Sequence, residues 1–139
     1  MTTLPGSLLS LTSGTILHQV NACAATGGLA GALRRKWPQA FVPYFEACAK
    51  GGCQGLFVPG RATGSLWIGH VFGQLNPGPN TDMRWVREAL QEAAGFVTGE
   101  VYAPYKMGCG LGGGHWPDYL AALVKAFPNI VIVRREGDE

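Results

Sequence analysis

Apolar positions along the chain fall into two kinds of run. Near-continuous stretches mark strands covered on both faces, and apolar residues recurring every three or four positions mark one face of a helix. Thr15-Ile16-Leu17-His18-Gln19-Val20-Asn21 is of the first kind and predicts a strand over 15–21. Residues 66–74, 100–105 and 130–133 predict three more. Gln54 to Pro59 reads as a short strand closed by Pro59-Gly60, with a hairpin-sized turn at 61–64 that lets it pair antiparallel with 66–74. Leu29, Leu33 and Trp37 recur at steps of four and predict a helix from Gly28 to about Lys36. Phe41, Tyr44, Phe45 and Cys48 form a second helical face that ends at Lys50-Gly51-Gly52. Thr81 is the expected cap of a third helix with a buried stripe of Val86, Leu90, Ala93 and Ala94, and Arg84 leaves its capping box incomplete. A last helix covers 117–127, Leu4 to Thr12 is an edge strand or irregular lead-in, and the charged tail at 134–139 is expected to fray.

Strands alternating with helices define an α/β fold: a three-layer α/β/α sandwich around a mixed, mostly parallel central sheet. At 139 residues the expectation is a single domain over 1–139. Hydrophobic residues make up 47% of the chain, enough for a layered core, and charged residues only 14%, which argues against disorder.

The formal charge of +2 is too small for a nucleic-acid surface, so direct sequence-specific DNA binding is not expected. Arg34-Arg35-Lys36 reads as a solvated helix end. No apolar run reaches the roughly 20 residues of a membrane span, and the first residues lack the pattern of a secretory leader. A cytoplasmic monomer with no membrane contact is the expectation. Cys23, Cys48, Cys53 and Cys109 include no Cys-x2-Cys pair and read as reduced, buried thiols, with no metal site.

Candidate chemistry concentrates in two loops. Gly108-Cys109-Gly110-Leu111-Gly112-Gly113-Gly114 puts five glycines into seven residues between a strand and a helix. Such a loop turns sharply and brings backbone N–H groups close to an anion, and the next helix adds the positive end of its dipole. Cys23-Ala24-Ala25-Thr26-Gly27-Gly28-Leu29 repeats the arrangement after the strand at 15–21. In an open α/β sheet such loops meet at the carboxyl ends of strands, and two of them suit a ligand with two phosphates. Asn21 closes its strand at the mouth of the first loop, where it reads either as a loop cap or as a ligand contact.

These residues resemble a macrodomain. His18-Gln19-Val20-Asn21-Ala22 with Gly27-Gly28-Leu29-Ala30 is similar to that family's first ligand loop, and Gly73-Gln74 with Thr81-Asp82 to its middle section. Gly108-Cys109-Gly110-Leu111-Gly112-Gly113 with Trp116 is similar to its phosphate-binding loop. The likeness covers roughly residues 6–133. It lies nearest the branch holding the terminal ADP-ribose protein glycohydrolase and the antitoxin that removes ADP-ribose from DNA.

The resemblance implies that the partner is ADP-ribose, free or carried by protein or nucleic acid, with no cofactor. It implies that Asn21 bonds the distal ribose, while Gly27, Gly28 and Leu29 face the pyrophosphate from one side. Gly108, Cys109, Gly110, Leu111, Gly112 and Gly113 would face it from the other. Trp116 and His115 read first as a packing residue and a helix-start residue. Ser7 stands where the family often has an adenine-holding Asp, Gly112 where the glycohydrolase branch has an acid, and no lysine lies between Lys50 and Lys106.

Asn21, His18, His70 and Asp82, with His115, are the residues left that could position or move a proton. Two functions follow from the likeness. One is hydrolysis of an ADP-ribosyl linkage or of the phosphate ester of ADP-ribose-1″-phosphate. The other is recognition of ADP-ribose without turnover.

Overall fold

The strand Gly14–Asn21, here β2, is bonded on both sides to parallel neighbours, β4 (Leu66–Gln74) and β5 (Val101–Pro104). The computed structural model describes residues 1–135. Beyond β5 lies β6 (Val131–Arg134), then β1 (Thr2–Pro5) at one edge, both parallel. Beyond β4 lies β3 (Phe57–Arg61), antiparallel, at the other edge, giving the order β1-β6-β5-β2-β4-β3.

Alternation along the strands sends side chains to two cores. Ile16, Val20, Ile68 and Phe72 pack under α1 (Gly28–Lys36) and α2 (Val42–Lys50) with Leu33, Phe41 and Tyr44. Leu17 and Val71 pack under α3 (Met83–Phe96) and α4 (Trp116–Ala126) with Val86, Leu90, Tyr119 and Leu123. Helices on both faces of one sheet make the three-layer sandwich that the hydrophobic pattern predicts. Among the described residues no helix is long and apolar enough to cross a membrane.

Several boundaries differ from the sequence expectation. The strand expected over 54–59 occupies Phe57–Arg61 and runs through Pro59-Gly60. Its partner β4 lies on one side only, and an edge strand tolerates Pro59. Gly60 is required there, because a Cβ would lie 1.9 Å from the carbonyl oxygen of Ala40 in the 3-10 turn Pro38–Phe41. The lead-in resolves into β1 and a 3-10 turn, Leu8–Ser10, capped by the Ser7 hydroxyl, which accepts from the Leu9 N–H at 3.2 Å.

The cap of α3 is Asp82 rather than Thr81, with Oδ1 accepting from the Arg84 N–H at 2.9 Å. Ala94 is exposed, and Ala89 takes its place in the buried stripe. Arg134 belongs to β6, while residues 136–139 of the expected frayed tail lie outside the described residues. Of the four thiols, all free, only Cys53 is fully buried, and Cys23 is exposed because it sits on a loop rather than under a helix.

Gly60→Ala forces backbone against backbone and is expected to destabilise the protein by roughly 3 kcal/mol in urea titration. An unchanged midpoint would mean that the 3-10 turn yields freely.

Candidate functional site

Because β2, β4 and β5 are parallel, the loops after all three leave the sheet at one end. The first loop follows Asn21, the middle one follows Gln74 and the glycine loop follows Pro104. They are tied together. Ala22 N–H donates to the carbonyls of Gln74 and Leu75, and Thr81 N–H donates to Gly112 O at 3.0 Å. The two non-glycine residues held at positive φ among those described are Ala24 (62°) and Lys106 (58°). Each lies in or beside one of the two glycine-bearing loops, and strain of this kind gathers at binding sites.

Both loops present unpaired donors. α1 begins at Gly27 with no side-chain cap and no acidic residue in its first turn. Its leading N–H groups therefore point outward with the positive end of the helix dipole. In the glycine loop, no hydrogen bond within the described residues takes up the N–H of Gly110, Leu111 or Gly112. A Cβ at Gly27, Gly28 or Gly110 would meet nothing within 4 Å, so open space lies in front of them. The Leu111 side chain is 85% exposed at the loop tip.

Gly112, Gly113 and Gly114 have a different duty. A Cβ at Gly112 would sit 2.6 Å from Gly108 O, one at Gly113 2.7 Å from Pro79, and one at Gly114 2.9 Å from Gly108 O. These residues let the loop fold on itself and against the middle loop. No acidic side chain could stand at 112 in this backbone. Cys109 lies half-buried beneath, its Sγ donating to Met107 O at 3.2 Å, and burial raises its thiol to about 11.

A buried hydrogen-bonded cluster holds the loops from below. Gln19 accepts from Tyr119 Oη–H at 2.7 Å and donates through Nε2 to Gln74 Oε1 and Thr81 Oγ1, each at 2.7 Å. Thr81 Oγ1 donates in turn to Gly108 O at 2.8 Å. Gln74 Nε2 donates to the carbonyls of Asn76 (2.7 Å) and Gly78 (3.1 Å). The ladder between β2 and β4 skips one residue here: Val20 pairs with Phe72 but Asn21 with Gln74. Gly73 is the extra residue of this bulge, which turns Gln74 toward Gln19. Gln19, Gln74 and Thr81 stand in the stretches that resemble macrodomain loops, but their bonding to one another and to Tyr119 was absent from the sequence expectation; the one local hint is a polar residue inside an otherwise apolar strand.

The remaining candidates separate in space. Asn21 is engaged by its own loop: Oδ1 accepts from the N–H groups of Cys23 (3.0 Å) and Ala25 (3.3 Å), and Nδ2 donates to Ala25 O (2.9 Å). Tyr44 Oη–H reaches the Asn21 carbonyl at 2.8 Å. The loop-capping reading of Asn21 is thus the one this geometry displays. Asp82 caps α3, and the Arg84 guanidinium beside it holds its carboxyl below the usual range. His115 starts α4 and pairs with Asp118 at 3.2 Å, and Trp116 stacks on Tyr105 at 5.5 Å.

His18 and His70 are opposite each other on β2 and β4, fully enclosed by Phe41 and Tyr44, and do not face the loops. The Ala40 carbonyl can only accept, so His70 carries its hydrogen on Nε2 (2.8 Å). His70 Nδ1 then accepts from His18 Nε2–H at 2.7 Å, and His18 Nδ1 is left without a partner. Burial depresses both, His18 well below 6.5 and His70 to about 4. Buried and bonded to each other, they sit within the packing of the first core.

A six-stranded sheet in this order, with glycine loops after β2 and β5, is the macrodomain fold. No family model matches the chain, and no curated protein does. Solved structures do. The macrodomain of Mycobacterium tuberculosis DarG is 22% identical over 99% of this chain and 97% of that one, with a TM-score of 0.80. A protein of unknown function from Bacteroides thetaiotaomicron is 23% identical over 96% of each chain, with a TM-score of 0.84. Thermosipho africanus DarTG, solved in complex with ADP-ribose, is 16% identical over 99% of this chain and 42% of that one, at a TM-score of 0.78.

Tyr119→Phe leaves Gln19 Oε1 buried without its donor and is expected to destabilise by about 1–2 kcal/mol in chemical denaturation. The histidine pair sets an acid limit. Once unfolded, both imidazoles take up protons that the fold refuses, so the unfolded state binds more protons between the folded and ordinary values. Stability is therefore full above pH 6.5 and falls as pH drops from 6.5 toward 4, by about 3 kcal/mol for His70 alone. Unfolding midpoints across that range check this, and a His70→Gln variant should flatten the slope.

Proposed function

We propose that the chain is a recognition domain for ADP-ribose, free or attached to another molecule. The observation that carries this is the pairing of two unsatisfied donor sets at one end of the sheet. They are the uncapped start of α1 and the free amides of Gly110, Leu111 and Gly112. A diphosphate lying between them would accept from both, and charge-assisted bonds of this kind are the strong ones. The adenosine end then extends toward Ser7 beside β1, and the distal ribose over the carboxyl end of β4. The ADP-ribose held by Thermosipho africanus DarTG supports the ligand class.

Turnover has less support than binding. The Gln74 carboxamide does not titrate, and both its ends are engaged. Position 112 has no room for a carboxylate. His18 and His70 are sealed in the core, and Asp82 is paired with Arg84. Hydrolysis would rest on water held by the substrate itself, which is the second reading.

Calorimetry with ADP-ribose should show one saturable site, and silence at millimolar ligand would reject the proposal. Gly110→Val fills open space in front of the amides without touching a neighbour. It is expected to lower affinity at least tenfold, about 1.4 kcal/mol, with the melting temperature unchanged. Incubation with ADP-ribosylated protein, ADP-ribosylated DNA and ADP-ribose-1″-phosphate should release no product; release from any of them would establish the hydrolase instead.

A further inference from the structure

Three of the four thiols gather behind the first loop, around Tyr44 and the main chain of Asn21. Cys48 stands one turn after Tyr44 on α2, and its Sγ lies 4.0 Å from the Asn21 carbonyl that the Tyr44 hydroxyl also reaches. The same thiol is within hydrogen-bonding reach of Tyr44 and of Cys53. Cys53 is buried in the first core, and the half-buried Cys48 packs against that core from its rim. Cys23 is turned elsewhere: its Sγ donates to Leu75 O at 3.1 Å and Asn76 Oδ1 at 3.3 Å, on the middle loop.

The link between Cys48 and Cys53 can adjust. α2 ends at Lys50, and the next two residues, Gly51 (φ 77°) and Gly52 (φ 67°), are both left-handed. Gly51 N–H closes the helix by donating to the carbonyls of Ala47 and Cys48, both at 3.2 Å. The two glycines turn the chain back, so that Cys53 enters the core beside the helix it has just left. A Cβ at either glycine would meet nothing within 4 Å, so nothing packs against the turn and it can move while two sulfurs close to bonding distance.

The two thiols differ in the way a stepwise oxidation needs. Cys48 is partly open to solvent, whereas Cys53 is enclosed, and burial with Cys48 beside it raises the Cys53 thiol above its ordinary value. Cys48 is therefore the thiol that meets an oxidant and Cys53 the one that resolves it. With hydrogen peroxide, the Cys48 thiolate attacks one oxygen. An S–O bond forms, the O–O bond breaks, and the departing hydroxide takes up a proton as water. Cys53 then attacks the Cys48 sulfur of the sulfenic acid. The S–S bond forms, the S–O bond breaks, and the second hydroxide leaves as water with the Cys53 proton. The two thiols lose two electrons and one peroxide gains them.

We propose that Cys48 and Cys53 are a peroxide-responsive dithiol, a modification site that closes reversibly to a disulfide at the end of α2 in the folded protein.

Thiol counting and peptide mapping on the full chain test this. Hydrogen peroxide should remove two of the four thiols, with a Cys48–Cys53 bridge in the map, and dithiothreitol should restore both. Cys23→Ala should lose two thiols in the same way. Cys53→Ala should form no bridge and instead hold a sulfenic acid at Cys48, trapped by dimedone. Four results overturn the assignment. They are four free thiols in the wild-type chain after peroxide, a bridge that includes Cys23 or Cys109, a Cys48–Cys53 bridge that forms only after unfolding in urea, and dimedone on Cys23 with none on Cys48 in Cys53→Ala.

Discussion

Gln19 reaches across from β2 to three other elements at once, and the geometry of the site follows from satisfying that one carboxamide. Its oxygen takes the Tyr119 hydroxyl from α4. Its nitrogen gives to Gln74 on β4 and to Thr81 ahead of α3. A buried amide left half-paired is costly, so these partners cannot drift independently. Two glycines make room for it. A Cβ at Gly73 would lie 2.4 Å from Gln19 Oε1, and one at Gly108 2.7 Å from the same atom. The first glycine of the glycine loop is thus required from beneath, by the core. At Gly27, Gly28 and Gly110 a Cβ would meet nothing within 4 Å, so no neighbour demands glycine there.

That division explains how a loop of five glycines avoids being merely soft. Three of them pack the loop against Gly108, Pro79 and Thr81. The backbone so fixed leaves the amides of 110–112 without an acceptor among the described residues. Pre-organisation of this sort raises affinity by lowering the ordering cost of binding. The same tight packing removes the room a carboxylate would need at 112.

Much of this was legible in the chain. Residues 28–36 and 66–74 carry their periods without interruption, and α1 and β4 fall on those bounds. That the two glycine-bearing loops share one end of the sheet was legible because each follows a strand of the parallel set. What was not legible depended on register. Whether Thr81 or Asp82 caps α3 turns on Thr81 being drawn to Gly108 and Gln19, contacts 27 and 62 residues away in sequence. His18 and His70 looked like titrating groups because composition cannot show that β2 and β4 pair them face to face under Phe41. Asn21 is ambiguous for a related reason: a carboxamide at a strand end can serve the loop or the ligand, and only the loop's path decides.

The histidine pair also bears on how the site is held. Tyr44 packs on His70 at 5.4 Å and passes its hydroxyl to Asn21, which caps the first loop. The first core therefore braces the first loop as Gln19 braces the glycine loop from the second core. Each face of the sheet supports one of the two donor sets. A diphosphate binding between them would lock against both cores at once, so the ligand is expected to stabilise the whole sandwich rather than a single loop. Acid–base chemistry at this end of the sheet would draw on Asp82, which is paired with Arg84, or on the exposed His115, which is paired with Asp118.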